Sequence, residues 1–225
     1  MNNSSNNGIS VLLTGATGMV GEGVLHECLR HPGIAKVTVI NRRPCGVTDP
    51  KLEEIIHNDF FNLLPLRDKL KGFDACFFCL GVSSVGMKEP VYYRLTYTLT
   101  LHMAELLAEG QPGMIFCYVS GAGTDSTEKG RSMWARVKGK TENDLMKLPF
   151  KRVYNFRPGI LTPTPGLHNT LGFYKYLGWL IPVVKAVAPN TVSSLKELGL
   201  AMIKVATVGY EKQIIEVSDI HKLGQ

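Results

Sequence analysis

The chain has 225 residues, of which 44% are hydrophobic and 20% are charged, and its formal net charge is +6 at pH 7. This length suits one large α/β domain, and the composition is that of a globular protein rather than a disordered one. No run of about 18 uninterrupted apolar residues is present, which argues against a transmembrane helix. The Asn- and Ser-rich residues 1–8 lack the apolar core of a signal peptide, so we expect a disordered tail followed by a single domain over 9–225.

Short apolar runs alternate with helical patterns along the chain. Strands are predicted at residues 9–14, 36–41, 52–57, 73–80, 114–120 and 153–157, with a short last strand at 213–217. Helices are predicted at 18–30, 90–109 and 131–148, and a capping box at 194–197 opens a final helix that ends near Val208. This alternation predicts a doubly wound parallel sheet with helices on both faces, an α/β fold of the Rossmann type.

The character of the chain changes after Pro158. Residues 158–192 contain several prolines and glycines and an apolar stretch at 171–180. We expect this region to form a small C-terminal cap on the substrate side of the domain. The alternative for the apolar stretch is docking onto a membrane surface.

Five scattered cysteines and six histidines offer no metal-binding pattern. Cys76 and Cys79 have the spacing of a zinc or redox pair, but an offset of three places them on opposite faces of a predicted strand. Free cysteines pack as small buried hydrophobes, and they are typical of reducing compartments. We therefore predict no metal site and a cytoplasmic location.

The positive charge is densest between Lys129 and Arg152. Such a patch can bind nucleic acid, but it lacks the interleaved aromatic residues that stack on bases. A solvated face is the preferred interpretation, so no nucleic-acid partner is expected. The same field would favour an acidic, phosphate-bearing ligand.

A glycine-rich loop between the first predicted strand and the first predicted helix carries the strongest signal. Gly15 permits a tight turn, Gly18 lets the backbone approach a pyrophosphate, and Gly21 lets the helix pack closely on the sheet. The helix N-terminus then faces the phosphates. The loop predicts a dinucleotide site formed by Gly15, Thr17, Gly18, Met19, Val20 and Gly21.

The end of the second predicted strand indicates which dinucleotide is bound. An acidic residue there would bind a ribose 2′-hydroxyl and favour NAD(H), but the sequence has Asn41, Arg42 and Arg43. Two guanidinium groups suit a 2′-phosphate, so NADP(H) is favoured over NAD(H). Two further groups follow the next strands: Asp59 and Phe60 are predicted beside the adenine, and Leu80, Gly81 and Val82 beside the nicotinamide ribose.

Taken together, these motifs resemble the short-chain dehydrogenase/reductase superfamily, most closely its extended and atypical members. These include sugar-nucleotide epimerases and the Tat-interacting-protein group of atypical reductases. The resemblance covers about residues 9–160 and rests on residues 14–21, Asp59, 80–81, 118–123, Lys138 and 157–159. It implies hydride transfer on a small carbonyl or alcohol substrate, and it adds Lys138, Pro158, Gly159 and Ile160 to the cofactor site. Pairing through the helices predicted at 90–109 and 131–148 makes a homodimer the alternative to a monomer.

By the same resemblance, Ser120 polarises the substrate oxygen, and Lys138 binds the nicotinamide ribose and lowers the pKa of a tyrosine four residues earlier. That tyrosine position is Trp134 here, and an indole N–H can donate a hydrogen bond but cannot act as a phenol-like acid. A supporting asparagine of the family aligns with Thr96. Replacement hydroxyls could come from Tyr92, Tyr93, Tyr97, Thr124 or Ser132. The sequence thus leaves two alternatives, an oxidoreductase or epimerase-like enzyme with an altered catalytic set, and a non-catalytic NADP(H)-sensing or scaffold protein that controls a protein partner.

Overall fold

A parallel sheet organises the chain. The computed structural model describes residues 8–169 and 187–225. The strands are β1 (Ile9–Thr14), β2 (Ile34–Asn41), β3 (Leu52–Ile56), β4 (Ala75–Phe78), β5 (Ile115–Val119), β6 (Arg152–Phe156), β7 (Ile160–Thr162), β8 (Val192–Ser194) and β9 (Ile214–Ile215). Within the described residues, seven of them form one sheet in the order β3-β2-β1-β4-β5-β6-β9, and β7 pairs with β8 alone. Every pairing is parallel, which confirms the predicted Rossmann-type sheet.

Helices cover both faces of the sheet. They are α1 (Met19–Arg30), α2 (Glu89–Tyr93), α3 (Leu99–Ala108), α4 (Met133–Leu145), α5 (Leu195–Thr207) and α6 (Val217–Leu223). A π-helical turn, Arg94–Thr98, joins α2 to α3, and short 3₁₀ turns lie at Leu64–Leu70 and Pro189–Thr191. Residues of α1, α5 and α6 form the core on one face, and residues of the first 3₁₀ turn, α3 and α4 form it on the other.

Successive residues of the central strands are buried on opposite faces of the sheet, and this explains why helices cover both faces. In β1, Val11 and Leu13 belong to the core under α1 and α5, whereas Leu12 belongs to the core under α3. All three are 0% exposed. Because successive strand residues point to opposite faces, a strand buried on both sides needs a continuous apolar run. Each such leucine or valine contributes about 1.5–3 kcal/mol through burial.

Helix α5 begins at the predicted capping box. The backbone N–H of Glu197 donates to Ser194 Oγ at 3.0 Å, and the backbone N–H of Ser194 donates to Glu197 Oε2 at 2.6 Å. Two N–H groups that would otherwise lack partners at the helix start are thereby satisfied. The helix ends at Thr207, one residue before the predicted end.

Two predictions of local structure differ from the structure in detail. The helix predicted at 90–109 is one continuous helical segment over 89–108, but a π turn at Arg94–Thr98 interrupts its α-helical hydrogen bonding, and there the backbone N–H of Leu99 donates to the Arg94 carbonyl. The last strand predicted at 213–217 is only Ile214–Ile215, because Val217 begins α6. Glu216 caps that helix and Asp219 reciprocates, and glutamate is a weak N-cap signal in a sequence. The remaining predicted elements shift by one to three residues at their ends.

Two predicted regions fall wholly or partly outside the described residues. The tail predicted at 1–8 is described only at Gly8. The cap predicted at 158–192 is described at 158–169 and 187–192, and the apolar stretch at 171–180 lies outside the described residues. In the parts of the chain that are described, no helix has the length and apolarity needed to cross a membrane.

The five cysteines all lie in the described ranges and are free thiols. Cys76 packs with the core under α3, and Cys79 packs against the core under α1, so the predicted placement on opposite faces is confirmed. No group of histidine, cysteine or acidic side chains among the residues at 8–169 and 187–225 could hold a metal ion.

Candidate functional site

The glycine loop follows β1 at the carboxyl end of the sheet. Gly15 has φ +79°, a left-handed conformation, and a Cβ there would lie 2.8 Å from the Cys79 carbonyl oxygen. A Cβ on Gly21 would overlap the carbonyl of Gly15. The loop closes through a hydrogen bond in which Gly18 N–H donates to the Gly15 carbonyl at 2.9 Å. Two of the three glycines are therefore required by the protein's own packing.

Gly18 differs from the other two, because its free side faces a cleft. The nearest protein atom to a Cβ on Gly18 would be the Gly15 carbonyl oxygen at an ordinary 3.5 Å. Gly18 is the N-cap of α1 and provides no side-chain cap. The N–H groups in the first turn of a helix lack intrahelical partners and carry partial positive charge, so the open loop suits a phosphate.

Two arginines face this loop across a cleft of about 430 Å³, which we call the arginine cleft. Arg42 and Arg43 follow β2 directly and are exposed. Within the described part of the chain neither guanidinium has an ion-pair or hydrogen-bond partner. The cleft is lined by Gly15, Thr17, Gly18, Arg42, Arg43, Cys79, Leu80 and Gly81. These residues suit the phosphates of a dinucleotide, with backbone N–H groups on one side and guanidinium groups on the other.

Asn41 points into the protein and not into the cleft. It is 2% exposed, and its Nδ2 donates to Glu54 Oε1 at 2.8 Å. The same carboxylate oxygen accepts the backbone N–H of Cys45 at 2.8 Å. Glu54 on β3 therefore holds the turn that presents both arginines. Sequence reasoning missed Glu54, because the pairing of Asn41 with β3 is visible only once the strands are in register.

A second cavity, the Asp59 pocket, adjoins the arginine cleft through Arg42, Leu80 and Gly81 and has a volume of about 190 Å³. Its lining brings together Arg42, Asn58, Asp59, Phe60, Phe61, Leu80, Gly81, Val82, Leu95 and Leu99. The Asp59 carboxylate accepts the backbone N–H of Phe61 at 2.9 Å, and Phe60 is 6% exposed. Leu80, Gly81 and Val82 thus lie with the predicted adenine residues. Sequence reasoning placed these three beside the nicotinamide ribose.

A third cavity, the Ser120 cavity, has a volume of about 530 Å³ and reaches the first turn of α1 at Val20. It is lined by Val20, Val119, Ser120, Gly121, Ala122, Trp134, Lys138, Pro158, Gly159, Ile160, Leu161, Asn190 and Thr191. Most of the residues that the sequence assigned to catalysis and to the nicotinamide end of the cofactor therefore meet here. Met19 opens α1 beside Gly18 but lines none of the three cavities.

Asn190 and Thr191 reach the Ser120 cavity from a distant part of the chain and were missed by sequence reasoning. Ile160 pairs with Val192 in the short β7–β8 ladder, which brings the two segments together. A Cβ on Gly159 would overlap the Thr191 carbonyl, so a glycine is needed at this crossing. The glycine that follows Pro158 was the one sequence feature that could have indicated this close crossing of two segments.

Ser120 is 7% exposed and belongs to a short chain of hydroxyl groups. Its Oγ lies 2.8 Å from Thr124 Oγ1, and the Thr124 hydroxyl donates to the Gly121 carbonyl at 2.7 Å. Because the Thr124 hydroxyl donates its proton to that carbonyl, the Ser120 hydroxyl is the donor in the hydrogen bond between Ser120 and Thr124. Ser120 Oγ then faces the cavity as a hydrogen-bond acceptor.

Lys138 extends from α4 over the end of β5. Its Nζ donates to the carbonyl of Ser120 at 2.7 Å and lies 3.5 Å from the carbonyl of Val119. It also lies 5.7 Å from the centre of the Tyr118 ring. Burial lowers the pKa of Lys138 to about 8, with a smaller opposing effect of Glu142. Desolvation disfavours the charged form of an amine, and this explains the direction.

Trp134, at the position where the resemblance implies a tyrosine, lies at the edge of the Ser120 cavity. Its six-membered ring lies against the loop after β5, about 3.8 Å from a Cβ built on Gly121 and 3.7 Å from one built on Gly123. The indole is half-buried at the edge of the Ser120 cavity. It fills space there without offering a titratable group.

The tyrosines proposed as replacements lie elsewhere. Tyr97 donates its hydroxyl to Asp144 Oδ2 at 2.8 Å, and burial, together with that hydrogen bond, raises its pKa to about 12. Tyr93 stacks against Tyr97 at 4.6 Å, and Tyr92 is 1% exposed. None of the three lines any of the three cavities formed by described residues.

A buried ion pair supports α4 behind Lys138. Arg157 Nε donates to Glu142 Oε1 at 3.0 Å, and Nη2 donates to Glu142 Oε2 at 2.5 Å. Glu142 is 0% exposed, and the Arg157 side chain is 11% exposed. This two-point geometry joins α4 to the residue that follows β6. It also occupies the carboxylate that lies one helical turn beyond Lys138.

Comparisons with known proteins agree with this architecture. The chain is 29% identical over 200 residues to Protein HTATIP2 of Rattus norvegicus, covering 82% of this chain and 81% of that protein. It is 29% identical over 156 residues to Protein fmp52-1, mitochondrial, of Aspergillus oryzae, covering 66% and 64% of the two chains.

Solved structures share the fold. ADP-L-glycero-D-manno-heptose-6-epimerase of Helicobacter pylori matches with a TM-score of 0.66 and 18% identity, over 97% of this chain and 82% of that one. L-sorbose reductase of Gluconobacter frateurii, solved with NADPH and L-sorbose, matches with a TM-score of 0.65 and 14% identity, over 92% and 94%.

A family description covers just over half of the chain. Residues 11–130, which include the glycine loop, both arginines and Ser120, match the family described as NAD dependent epimerase/dehydratase. This match and the relatives above confirm the resemblance that the motifs suggested. The chain belongs to the NAD-dependent epimerase/dehydratase family.

Proposed function

We propose that the protein is an NADP(H)-dependent oxidoreductase that acts on a small carbonyl or alcohol substrate. The observation that carries the proposal is the arginine cleft, in which two guanidinium groups without a partner among the described residues face an open glycine loop. A 2′-phosphate would provide the anion that these arginines lack. The proposal therefore extends the family's use of nicotinamide dinucleotides to the phosphorylated form.

The placement of Ser120 and Lys138 supports chemistry in the Ser120 cavity, beside the helix that follows the glycine loop. Both line the cavity that begins at Val20 in the first turn of α1. A bound nicotinamide would supply or accept hydride there. Lys138 would donate to the substrate oxygen and Ser120 Oγ would accept from a substrate hydroxyl, and the apolar lining by Trp134 and Ile160 favours a substrate with little charge.

Cofactor preference is tested by titrating the protein with NADPH and with NADH while following tryptophan fluorescence. NADPH should bind in the micromolar range and more tightly than NADH. Replacing Arg42 and Arg43 by alanine should weaken NADPH binding by about 10- to 100-fold, which corresponds to the loss of a charged hydrogen bond. The affinity for NADH should stay almost unchanged. Lys36→Ala is the matched control, because it removes one positive charge from the other end of the same strand. Binding of neither nucleotide would refute the proposal.

Trp134 favours a second candidate, a non-catalytic protein in which a bound NADP(H) controls a protein partner. Trp134→Tyr distinguishes the two. Oxidation of NADPH by the wild type with any member of a panel of aldehydes and ketones excludes the second candidate. Turnover by the Trp134→Tyr variant alone would make the wild type a binding protein.

Location and assembly remain predictions. Five free thiols support a reducing compartment such as the cytoplasm, although the Aspergillus oryzae relative carries the word mitochondrial in its name. We expect a monomer or a homodimer and no nucleic-acid partner. Light scattering at two protein concentrations and a DNA titration at low salt check these two expectations.

A further inference from the structure

We propose that the Lys138 amine is itself the proton donor and acceptor of this site, in the place of the missing tyrosine hydroxyl. The inference rests on the proposed function and deepens it. In the family pattern the lysine acts through the tyrosine, whereas here it would exchange the proton with the substrate oxygen. The geometry around the Ser120 cavity points to this role by placement and by elimination.

Placement comes first. Lys138 Nζ is anchored 2.7 Å from the carbonyl of Ser120, the residue whose side chain faces the same cavity. An ammonium group has three N–H donors, and the carbonyls of Ser120 and Val119 account for two directions. The third is left for a ligand. Among the described residues that line the cavity, Lys138 is the one whose side chain ionises near neutral pH.

The other candidate groups cannot carry the proton. The Ser120 hydroxyl donates to Thr124, which donates to the Gly121 carbonyl, so this chain ends at a group that cannot accept a proton. The indole of Trp134 does not titrate. Tyr97 is bound to Asp144 outside the cavity.

The charges around Lys138 keep its amine able to change state. Glu142 lies one turn further along α4, but both of its oxygens are bound by Arg157, the residue that follows β6. From β5, the ring of Tyr118 faces the amine, and Tyr92 of α2 lies near Tyr118; burial raises the pKa of both phenols, so both stay neutral. The nearest carboxylate is thus neutralised by another partner. With burial, this is the environment in which lysines act as acids and bases near neutral pH.

Reduction of a carbonyl substrate would combine a hydride transfer with a proton transfer. The substrate carbon gains a hydride from the reduced nicotinamide, which is oxidised, and the π bond of the carbonyl breaks. The carbonyl oxygen takes a proton from the Lys138 ammonium, directly or through one water. The neutral amine then regains a proton from solvent, and oxidation of an alcohol runs the same steps in reverse.

The first test measures Lys138 in the protein without cofactor. Each lysine is labelled with trace acetic anhydride from pH 6 to pH 11 and quantified by peptide mass spectrometry. Lys138 should reach half of its maximal reactivity near pH 8. Lys140, on the same helix, is the internal control, because its hydrogen bond to Asp144 raises its pKa above the usual value. Equal midpoints for the two lysines would overturn the inference.

The second test uses Lys138→Arg, which keeps the charge and the hydrogen-bond donors but does not release a proton near neutral pH. NADPH oxidation with a panel of aldehydes and ketones should fall at least about 100-fold in kcat/KM for the carbonyl substrate at pH 7, measured at saturating NADPH so that a changed ribose contact of residue 138 does not enter the comparison. Wild-type kcat/KM for reduction should fall as the pH rises above 8, and for alcohol oxidation it should rise. Lys138→Met gives the same loss if arginine disturbs packing, and Lys140→Arg should behave as wild type.

The outcomes separate this inference from the proposed function. If the wild type reduces a carbonyl and Lys138→Arg does so equally well, the amine is not the proton carrier, while the oxidoreductase proposal stands. If NADPH binds but no member of the panel is reduced, the inference fails and the binding-only candidate gains. If NADPH does not bind, both fail.

Discussion

Alanine substitution at two positions of the glycine loop, Gly18 and Gly21, should have different consequences. A Cβ on Gly21 would overlap the backbone carbonyl of Gly15, so alanine there forces α1 away from the loop. A Cβ on Gly18 would meet its nearest protein atom at 3.5 Å, and its φ of −111° and ψ of 162° are comfortable for alanine. Gly21→Ala should therefore damage the fold, and Gly18→Ala should damage the ligand site.

The sizes of the two effects follow from this geometry. Overpacking against backbone costs about 3 kcal/mol for Gly21→Ala, at the upper end of the usual range. In a domain of this length, that lowers Tm by about 6–12 °C. Gly18→Ala loses only the small preference for glycine over alanine at an N-cap, about 0.5–1 kcal/mol, or a few degrees. The added methyl group would fill the space through which the pyrophosphate approaches the backbone, and NADPH binding should weaken by about 10- to 100-fold.

Circular dichroism melts and NADPH titrations of the two variants form the assay. The expected pattern is a normal melt with lost binding for Gly18→Ala, and a lowered Tm for Gly21→Ala. Wild-type NADPH affinity in Gly18→Ala would show that the phosphates do not approach this loop. A wild-type Tm in Gly21→Ala would refute the packing account of α1.

Three further predictions concern stability and can be measured by urea denaturation. Because burial lowers the pKa of Lys138 in the folded protein, the unfolded chain binds more protons than the folded one between pH 8 and 10.5. The free energy of unfolding should therefore rise with pH in this range, by up to about 1.4 kcal/mol per pH unit. Lys138→Met should abolish this rise without lowering the free energy of unfolding at pH 7. Glu142→Gln should cost about 3 kcal/mol by leaving buried Arg157 without its main partner, whereas Glu216→Gln at the exposed end of the network should cost less than 1 kcal/mol. Ser194→Ala should cost about 1 kcal/mol, because α5 loses its capping hydrogen bond; an unchanged midpoint would contradict this.

Local patterns were enough to predict the sheet and the phosphate loop. The central strands β1, β4, β5 and β6 are buried on both faces, and a run of apolar residues between turn signals is the direct sequence sign of such burial. Gly15 and Gly21 are dictated by atoms close in sequence or in the adjoining strand, so their spacing carries the signal. The exposed Arg42 and Arg43 follow a strand whose end was placed correctly.

Contacts between distant segments were not predictable in the same way. Glu54 holds the arginine turn only because β2 and β3 pair in a particular register. Asn190 and Thr191 enter the Ser120 cavity through a two-strand ladder too short to show a periodic pattern. The π turn is marked by a backbone hydrogen bond from Leu99 N–H to the Arg94 carbonyl, which the apolar stripe of the helix does not indicate.

The β7–β8 ladder has a consequence for how such a protein can diversify. Ile160–Thr162 and Val192–Ser194 lie side by side, so the chain between them departs from and returns to one place at the edge of the Ser120 cavity. The entropic cost of closing such an excursion grows slowly, by about 0.6 kcal/mol for each doubling of length. His168 and Asn169 of this segment donate their backbone N–H groups to the Glu22 carboxylate in the first turn of α1, at 2.7 Å each, so exchanging the segment would change that contact while β1 and the arginines keep their own contacts. Under the proposed function, the segment that would select the substrate can then change while the arginines that would select the cofactor stay in place.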